Sequence, residues 1–195
     1  MRHEQVHRTV ARVASLVLVG VLTAVAADYA AAKGATEHVW ISPLGFLAED
    51  PQTTISQFAS NPQAIEVAAT TTGDHVVQLG LTLLDGTAIG VGAVKPFQVT
   101  GVQICYQVVE GATVGTQISS GSLQTMTTPT ASTAEDLSAA AFPLTSSTGT
   151  CTAASVTSPF KVGGAQTLEL VLHFADTGAK IRLGAIRVDL QVLSR

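Results

Sequence analysis

Charge is scarce in this sequence. Of 195 residues only 10 are Lys or Arg and 14 are Asp or Glu, a formal net charge of −4. With no basic run, the electrostatic footprint of nucleic-acid binding is missing. Cysteine is scarcer still: Cys105 and Cys151 stand alone, with no Cys-x-x-Cys, and a structural zinc site needs more ligands than these two distant thiols. One Trp, two Tyr and six Phe argue against an extended polysaccharide-stacking face. Helical periodicity is nearly absent after the first thirty residues, and no repeat of constant period occurs. Catalytic signatures are missing too. There is no G-x-S-x-G, H-E-x-x-H, glycine-rich phosphate loop or D-x-[DN]-x-[DN]-G calcium loop.

What is present begins with MRHEQVHRTVARVASLVLVGVLTAVAADYA. Arg2, Arg8 and Arg12 precede a run of apolar or small residues from Val13 to Ala27, closed by Ala24-Val25-Ala26. This is the layout of a secretory signal peptide over residues 1–27, with cleavage expected near Ala26-Ala27. No paired arginines or nearby cysteine suggest a twin-arginine or lipoprotein route. The expected destination is extracellular or the periplasmic envelope, with no later segment apolar enough to span a membrane. Three arginines and one glutamate leave with the leader. Of 10 Lys+Arg and 14 Asp+Glu, seven and thirteen then remain, a net −6. Residues 28–37 read as a short linker and 38–195 as a single domain. In an exported chain the two cysteines most simply form one Cys105–Cys151 disulfide.

Alternation dominates the rest. HVWISPLGF (38–46) reads as a first strand, ended or held at an edge by Pro43. AEDPQTTISQFASNP reads as a long connection with one helical turn at 55–59, and 64–70 as a short strand. In 75–84, Val77, Leu79, Leu81 and Leu83 share a face before the turn signal Asp85-Gly86, and 87–94 restarts weakly. In 99–109, Val102, Ile104, Tyr106 and Val108 face one way, which places Tyr106 in the core. A strand at 114–126 precedes a loop, TTPTASTAED, and 137–160 is open.

IRLGAIRVDL (181–190) changes parity: Ile181 and Leu183 are odd, whereas Ile186, Val188 and Leu190 are even. One extra residue at Gly184-Ala185, a β-bulge, keeps every large aliphatic on the core side. We expect this strand to return as a hairpin on 166–174 through ADTGAK. That pairing would set His173 opposite Arg182, Glu169 opposite Arg187 and Thr167 opposite Asp189.

Together these give an all-β antiparallel sandwich or jelly roll of roughly eight to ten strands with one disulfide. The Leu84-Asp85-Gly86-Thr87 turn, the VQICYQV strand (102–108) and IRLGAIRVDL resemble small exported bacterial β-sandwich modules of uncharacterised function. Those motifs are structural and imply no active site.

Candidate site residues are few. Asp74-His75 invites a carboxylate-oriented base or metal ligand, against which stands the plainer reading of a turn residue and a half-exposed strand start. Glu49-Asp50 and Glu135-Asp136 are doublets in loops; adjacent side chains point apart, so neither is a facing acid pair for glycoside hydrolysis. Loop carboxylates with backbone carbonyls are candidates for a surface calcium, the one cofactor entertained. Trp40 alternates with Leu44 and Phe46 and is expected in the core. The Ser/Thr-rich segment 111–158 would suit an adhesive surface or simply a hydroxyl-rich outer face.

The expected function is therefore an exported binding or surface-assembly protein with no catalytic residues, its partner a cell-surface glycan or a protein. The alternative is a carbohydrate-recognising jelly-roll module, calcium-assisted or not, and third is a hydrolase with a loop-built site. An exposed Trp40 or a calcium loop would favour sugar binding. An open apolar edge would favour assembly. A histidine, an acid and a nucleophile in one cleft would mark an enzyme.

Overall fold

The computed structural model describes residues 36–61, 63–81, 97–128, 131–162 and 165–192. The proposed leader, the Asp85-Gly86 turn and the 87–94 segment lie outside them. The described residues form an all-β sandwich of two antiparallel sheets and eleven strands, slightly more than expected. Sheet A contains β1 (Thr36–Ile41), β3 (Thr53–Gln57), β4 (Ile65–Ala69), β6 (Phe97–Val109), β9 (Thr150–Lys161) and β11 (Lys180–Val192), in the order β3-β4-β11-β6-β9. Sheet B runs β2-β5-β10-β7-β8, from β2 (Phe46–Ala48), β5 (Gly73–Leu81), β10 (Ala165–Phe174), β7 (Gln117–Thr128) and β8 (Ala131–Asp136).

Strand β11 organises sheet A. One side pairs with β6 along its length; the other pairs with β4 over Lys180–Leu183 and with β1 over Ile186–Gln191. The register against β6 shifts between Leu183, opposite Tyr106, and Ile186, opposite Ile104. The bulge at Gly184-Ala185 is therefore real, and it sits where β4 gives way to β1. Ile181, Leu183, Ile186 and Val188 are all fully buried, each contributing roughly 1.5–3 kcal/mol over exposure. A uniform register would turn the last of these outward.

The expected hairpin is not formed. Strand β10 lies in sheet B between β5 and β7, whereas β11 lies in sheet A. The turn between them, with the Asp176 carboxylate accepting from the Gly178 amide at 2.6 Å, carries the chain from one sheet to the other. The predicted cross-strand pairs His173–Arg182, Glu169–Arg187 and Thr167–Asp189 therefore do not exist. Leu168, Leu170, Leu172 and Phe174 still meet Ile181, Leu183, Ile186 and Val188 in one core, by packing face to face rather than by pairing.

Three further expectations change. In place of a helical turn at 55–59, residues 55–57 belong to β3, an edge strand hydrogen-bonded to β4. The segment carrying Glu135-Asp136 is strand β8, not loop, with Asp136 opposite Ser122. Residues 38–46 are two strands in different sheets, because Pro43 opens a 3₁₀ turn (Pro43–Gly45) under the Ser42 side-chain cap. Tyr106 is in the core as expected.

Candidate functional site

The turn at Pro43 decides the fate of Trp40. Parity does not carry through a 3₁₀ turn, so Trp40 does not share a face with Phe46. Within β1 it is Val39 and Ile41 that pack against the core, and Trp40 projects from the other face with 57% exposure. This corrects its expected place in the core. On the outer face of sheet A it stands opposite Arg187, which is itself opposite Gln103. The Arg187 guanidinium lies 5.8 Å from the Trp40 ring centroid, within cation–π range.

The next row holds His38, Asp189 and Gly101. His38 Nδ1 is hydrogen-bonded to Asp189 Oδ1 at 2.7 Å. Arg187 donates to both carboxylate oxygens, from Nε at 2.8 Å and Nη2 at 3.2 Å. The planar fork is thus fixed beside an open indole.

On the same face, beyond the bulge, Arg182 lies over the Phe58 ring at 4.1 Å. Its Nε donates to Glu66 Oε2 at 3.1 Å and its Nη1 to Gln107 Oε1 at 3.1 Å. Lys180 Nζ donates to Glu66 Oε1 at 2.6 Å. The Lys180 ammonium above all, then Arg182, outweighs partial desolvation and holds the Glu66 carboxyl below its usual value. Beside this cluster is an open depression of about 250 Å³ bordered by Phe58, Asn61, Gln107, Thr150, Arg182 and Gly184, with the disulfide in its wall. The Cys105–Cys151 bond is formed as expected, joining directly opposed residues of β6 and the edge strand β9.

Asp74 and His75 are adjacent but serve different partners. His75 is 4% exposed, not half-exposed, because its side chain points between the sheets. Its Nδ1 lies 2.8 Å from Thr53 Oγ1 and 3.3 Å from Asp50 Oδ2. Its Nε2–H donates to the Thr71 carbonyl at 3.1 Å, and the ring meets Phe174 edge-on at 5.6 Å. A base needs one nitrogen for the nucleophile and the other for the orienting acid. Here the hydroxyl and the carboxylate share one nitrogen and a backbone carbonyl holds the other, so the cluster is a structural latch. Desolvation pushes the Asp50 carboxyl up; the Thr53 hydroxyl, the Gln52 amide and His75 outweigh it and hold the group below its ordinary value. Asp74 instead meets His173 Nδ1 at 2.7 Å on the exposed face of sheet B.

Glu49 accepts from the Gln78 amide, which also reaches Glu169 Oε2 at 3.3 Å. Sequence reasoning missed Glu169 as its neighbour, since the two belong to β10 and to the end of β2. Among the described residues no three His, Cys, Asp or Glu side chains converge to hold a metal ion, and no helix is long and apolar enough to cross a membrane. A larger depression of about 470 Å³ opens between edge strands β2 and β3, lined chiefly by Leu44, Leu47, Ile55 and Ile65. It is larger than the depression by Arg182, but no charged side chain enters it.

The fold and face thus define an antiparallel β-sandwich with a polar outer sheet and one open indole. No family model matches the sequence, and no curated protein matches it. Among solved structures, the chain is similar to the CBM22-1 xylan-binding domain from Paenibacillus barcinonensis, at 16% identity and TM-score 0.48 over 84% of this chain and 100% of that one. It is also similar to the Clostridium thermocellum endo-1,4-beta-D-xylanase 10B CBM22-1–GH10 modules complexed with xylohexaose, at 12% identity and TM-score 0.47. That match covers 77% of this chain and only 26% of the xylanase chain. A carbohydrate-binding module of family 29 is similar at 8% identity and TM-score 0.43, over 80% of this chain and 89% of that one. These neighbours are carbohydrate-binding modules, and the likeness is one of fold alone.

Proposed function

We propose that the chain is an exported, non-catalytic module that binds carbohydrate on the outer face of sheet A. One observation carries this: Trp40 is exposed on a strand face, beside a guanidinium held in place by a carboxylate. An indole left in water forgoes the burial that favours large aromatics inside, and a sugar supplies that cover. The C–H face of a pyranose suits the ring. Its hydroxyls suit planar donors and acceptors such as Gln103, Arg187 and Asp189, on a rigid sheet that loses little freedom on binding. Export rests on the composition of residues 1–27, and the closed disulfide fits an oxidising compartment.

Trp40 is the only tryptophan in the chain, so its fluorescence reports the site directly. Titration with soluble plant and bacterial cell-wall polysaccharides should shift its emission to the blue and saturate. Trp40→Ala should weaken binding measured by affinity electrophoresis. Emission that no polysaccharide moves would sink the reading.

A second reading has its own observation. Among the described residues both sheets end on one side in edge strands paired along one side only, β2 and β3, where Leu44 and Leu47 are 54% and 72% exposed. Open edges with apolar side chains template association. Sedimentation of the protein beside Leu47→Lys tests it: a self-associating parent and a monomeric variant would favour assembly.

A further inference from the structure

The described cations of the sandwich are segregated. Every Lys and Arg whose side chain the structure describes, namely Lys180, Arg182 and Arg187, projects from one strand, β11, onto the outer face of sheet A. Two carboxylates, Glu66 and Asp189, accompany them. The outer face of sheet B presents Glu49, Asp74, Asp136 and Glu169, with no Lys or Arg among the described residues. Among the described residues the Lys and Arg side chains thus gather on one face, and it is the face of Trp40.

From this segregation we infer that the ligand is an acidic glycan, whose uronate carboxylate docks on Arg182 in the depression beside the disulfide. This rests on the carbohydrate reading above and adds the charge class and the place. Near the depression two cations share a single carboxylate, Glu66, so among the described residues' ion pairs there is one positive charge more than negative. The Phe58 ring beneath Arg182 and its bonds to Glu66 and Gln107 fix the plane of the guanidinium, and a preorganised fork is what a carboxylate recognises. Gly184 leaves room beside the disulfide; a side chain there would have its Cβ 3.4 Å from Cys105 Cβ. Asn61, Gln107 and Thr150 border the same space with groups suited to hydroxyls. Arg182 and Arg187 lie five positions apart on β11, roughly 15 Å at strand spacing, so a glycan along the strand would span both the depression and Trp40. The acidic face of sheet B repels the same ligand, which confines binding to one side. A second copy offering its acidic face is the competing occupant, and it makes no use of the depression.

The test titrates the intact protein with an oligogalacturonate and with its fully methyl-esterified form, which has the same ring and linkage and no charge. The acid form should bind about tenfold tighter at low salt, with the gap closing as salt screens it. Arg182→Gln should remove about that factor for the acid form and leave the ester unchanged, while Trp40→Ala weakens both. Should Arg182→Gln fail to fold, Lys180→Gln tests the same charge, with the same direction. Equal, Trp40-dependent binding of acid and ester overturns the inference and leaves the carbohydrate reading standing. Binding of neither form, with Trp40 emission unmoved across the polysaccharide panel, overturns both. Salt-sensitive self-association abolished by Glu169→Gln, with no glycan bound, overturns the inference in favour of a second copy.

Discussion

The Nδ1 of His75 and the hydroxyl of Thr53 are 2.8 Å apart, and the bond between them joins the two sheets. His75 belongs to β5 of sheet B and Thr53 to β3 of sheet A, and both are buried. Asp50, in the link from β2 to β3, completes the latch by accepting from Thr53 Oγ1 at 2.9 Å. A buried polar group that loses its partner keeps its desolvation cost. His75→Ala should therefore lower the unfolding free energy by about 2–3 kcal/mol in denaturant titration. Thr53→Val should cost about 1–2 kcal/mol, and the double variant less than the sum, with a coupling near 1 kcal/mol. Strict additivity would show that the bond contributes nothing.

The pH dependence of stability should come from the acid side. Asp50 and Glu66 are both held below their ordinary values. A carboxyl more acidic in the folded state contributes stability that is fully present above its unfolded pKa, near 4, and is lost as pH falls through the folded one. The thermal midpoint should thus drop as pH goes below about 4. Glu66→Gln should be the less stable protein at pH 6, with the difference narrowing in acid. Parallel midpoint curves for the two proteins would rule Glu66 out as a source.

Reduction should loosen sheet A at its β9 edge. The disulfide closes 46 residues of sequence separation, which corresponds to about 4 kcal/mol on the chain-entropy model. The double variant Cys105→Ser, Cys151→Ser should unfold at markedly lower denaturant than the oxidised protein. Hydrogen exchange should show the loss first in β9, which among the described strands of that sheet pairs with β6 alone.

Deleting Gly184 tests the bulge. Deletion removes the inserted residue, so Leu183, Ile186, Val188 and Leu190 fall on one period-two face and stay on the core side without a bulge. The deletion variant should therefore still fold cooperatively, with a loss well below the roughly 5–15 kcal/mol by which domains are stable. Gly184→Ala adds a Cβ at an ordinary contact distance from Cys105 and should change stability by less than about 1 kcal/mol. A deletion variant that fails to fold would refute the register argument.

Trp40→Ala should leave the fold intact. A residue more exposed than buried contributes little packing, so its removal should alter the unfolding free energy by about 0.5 kcal/mol or less. A larger loss would mean the indole is there for stability rather than for a ligand.

Much of the fold was legible because strand alternation is a property of the chain itself. The faces of β5, β6, β10 and β11 follow from period two, and the parity change at Gly184-Ala185 announces an inserted residue whatever strand lies beside it. The weakly patterned edges were not legible. Thr53–Gln57 and Ala131–Asp136 carry too few large aliphatics to alternate, and they are strands because β4 and β7 offer them unpaired backbone groups. The candidate site was hidden by one local event: a 3₁₀ turn at Pro43 breaks the parity that linked Trp40 to Phe46.

What the sequence determined by itself was the class of fold, the disulfide, the buried faces and the bulge, since each depends on side-chain pattern within a strand or on cysteine count. The tertiary structure alone decided which strands are neighbours. Strands β10 and β11 would bury the same residues whether they paired edge to edge or packed face to face, because both arrangements point one face of each strand at the core. The choice between them fixes what the outward residues meet. It sends Glu169 to the acidic face and Arg187 to the face of Trp40, and gives His173 to Asp74 and Arg182 to Glu66. Burial is written along the chain one residue at a time, whereas partnership depends on strands far apart in it.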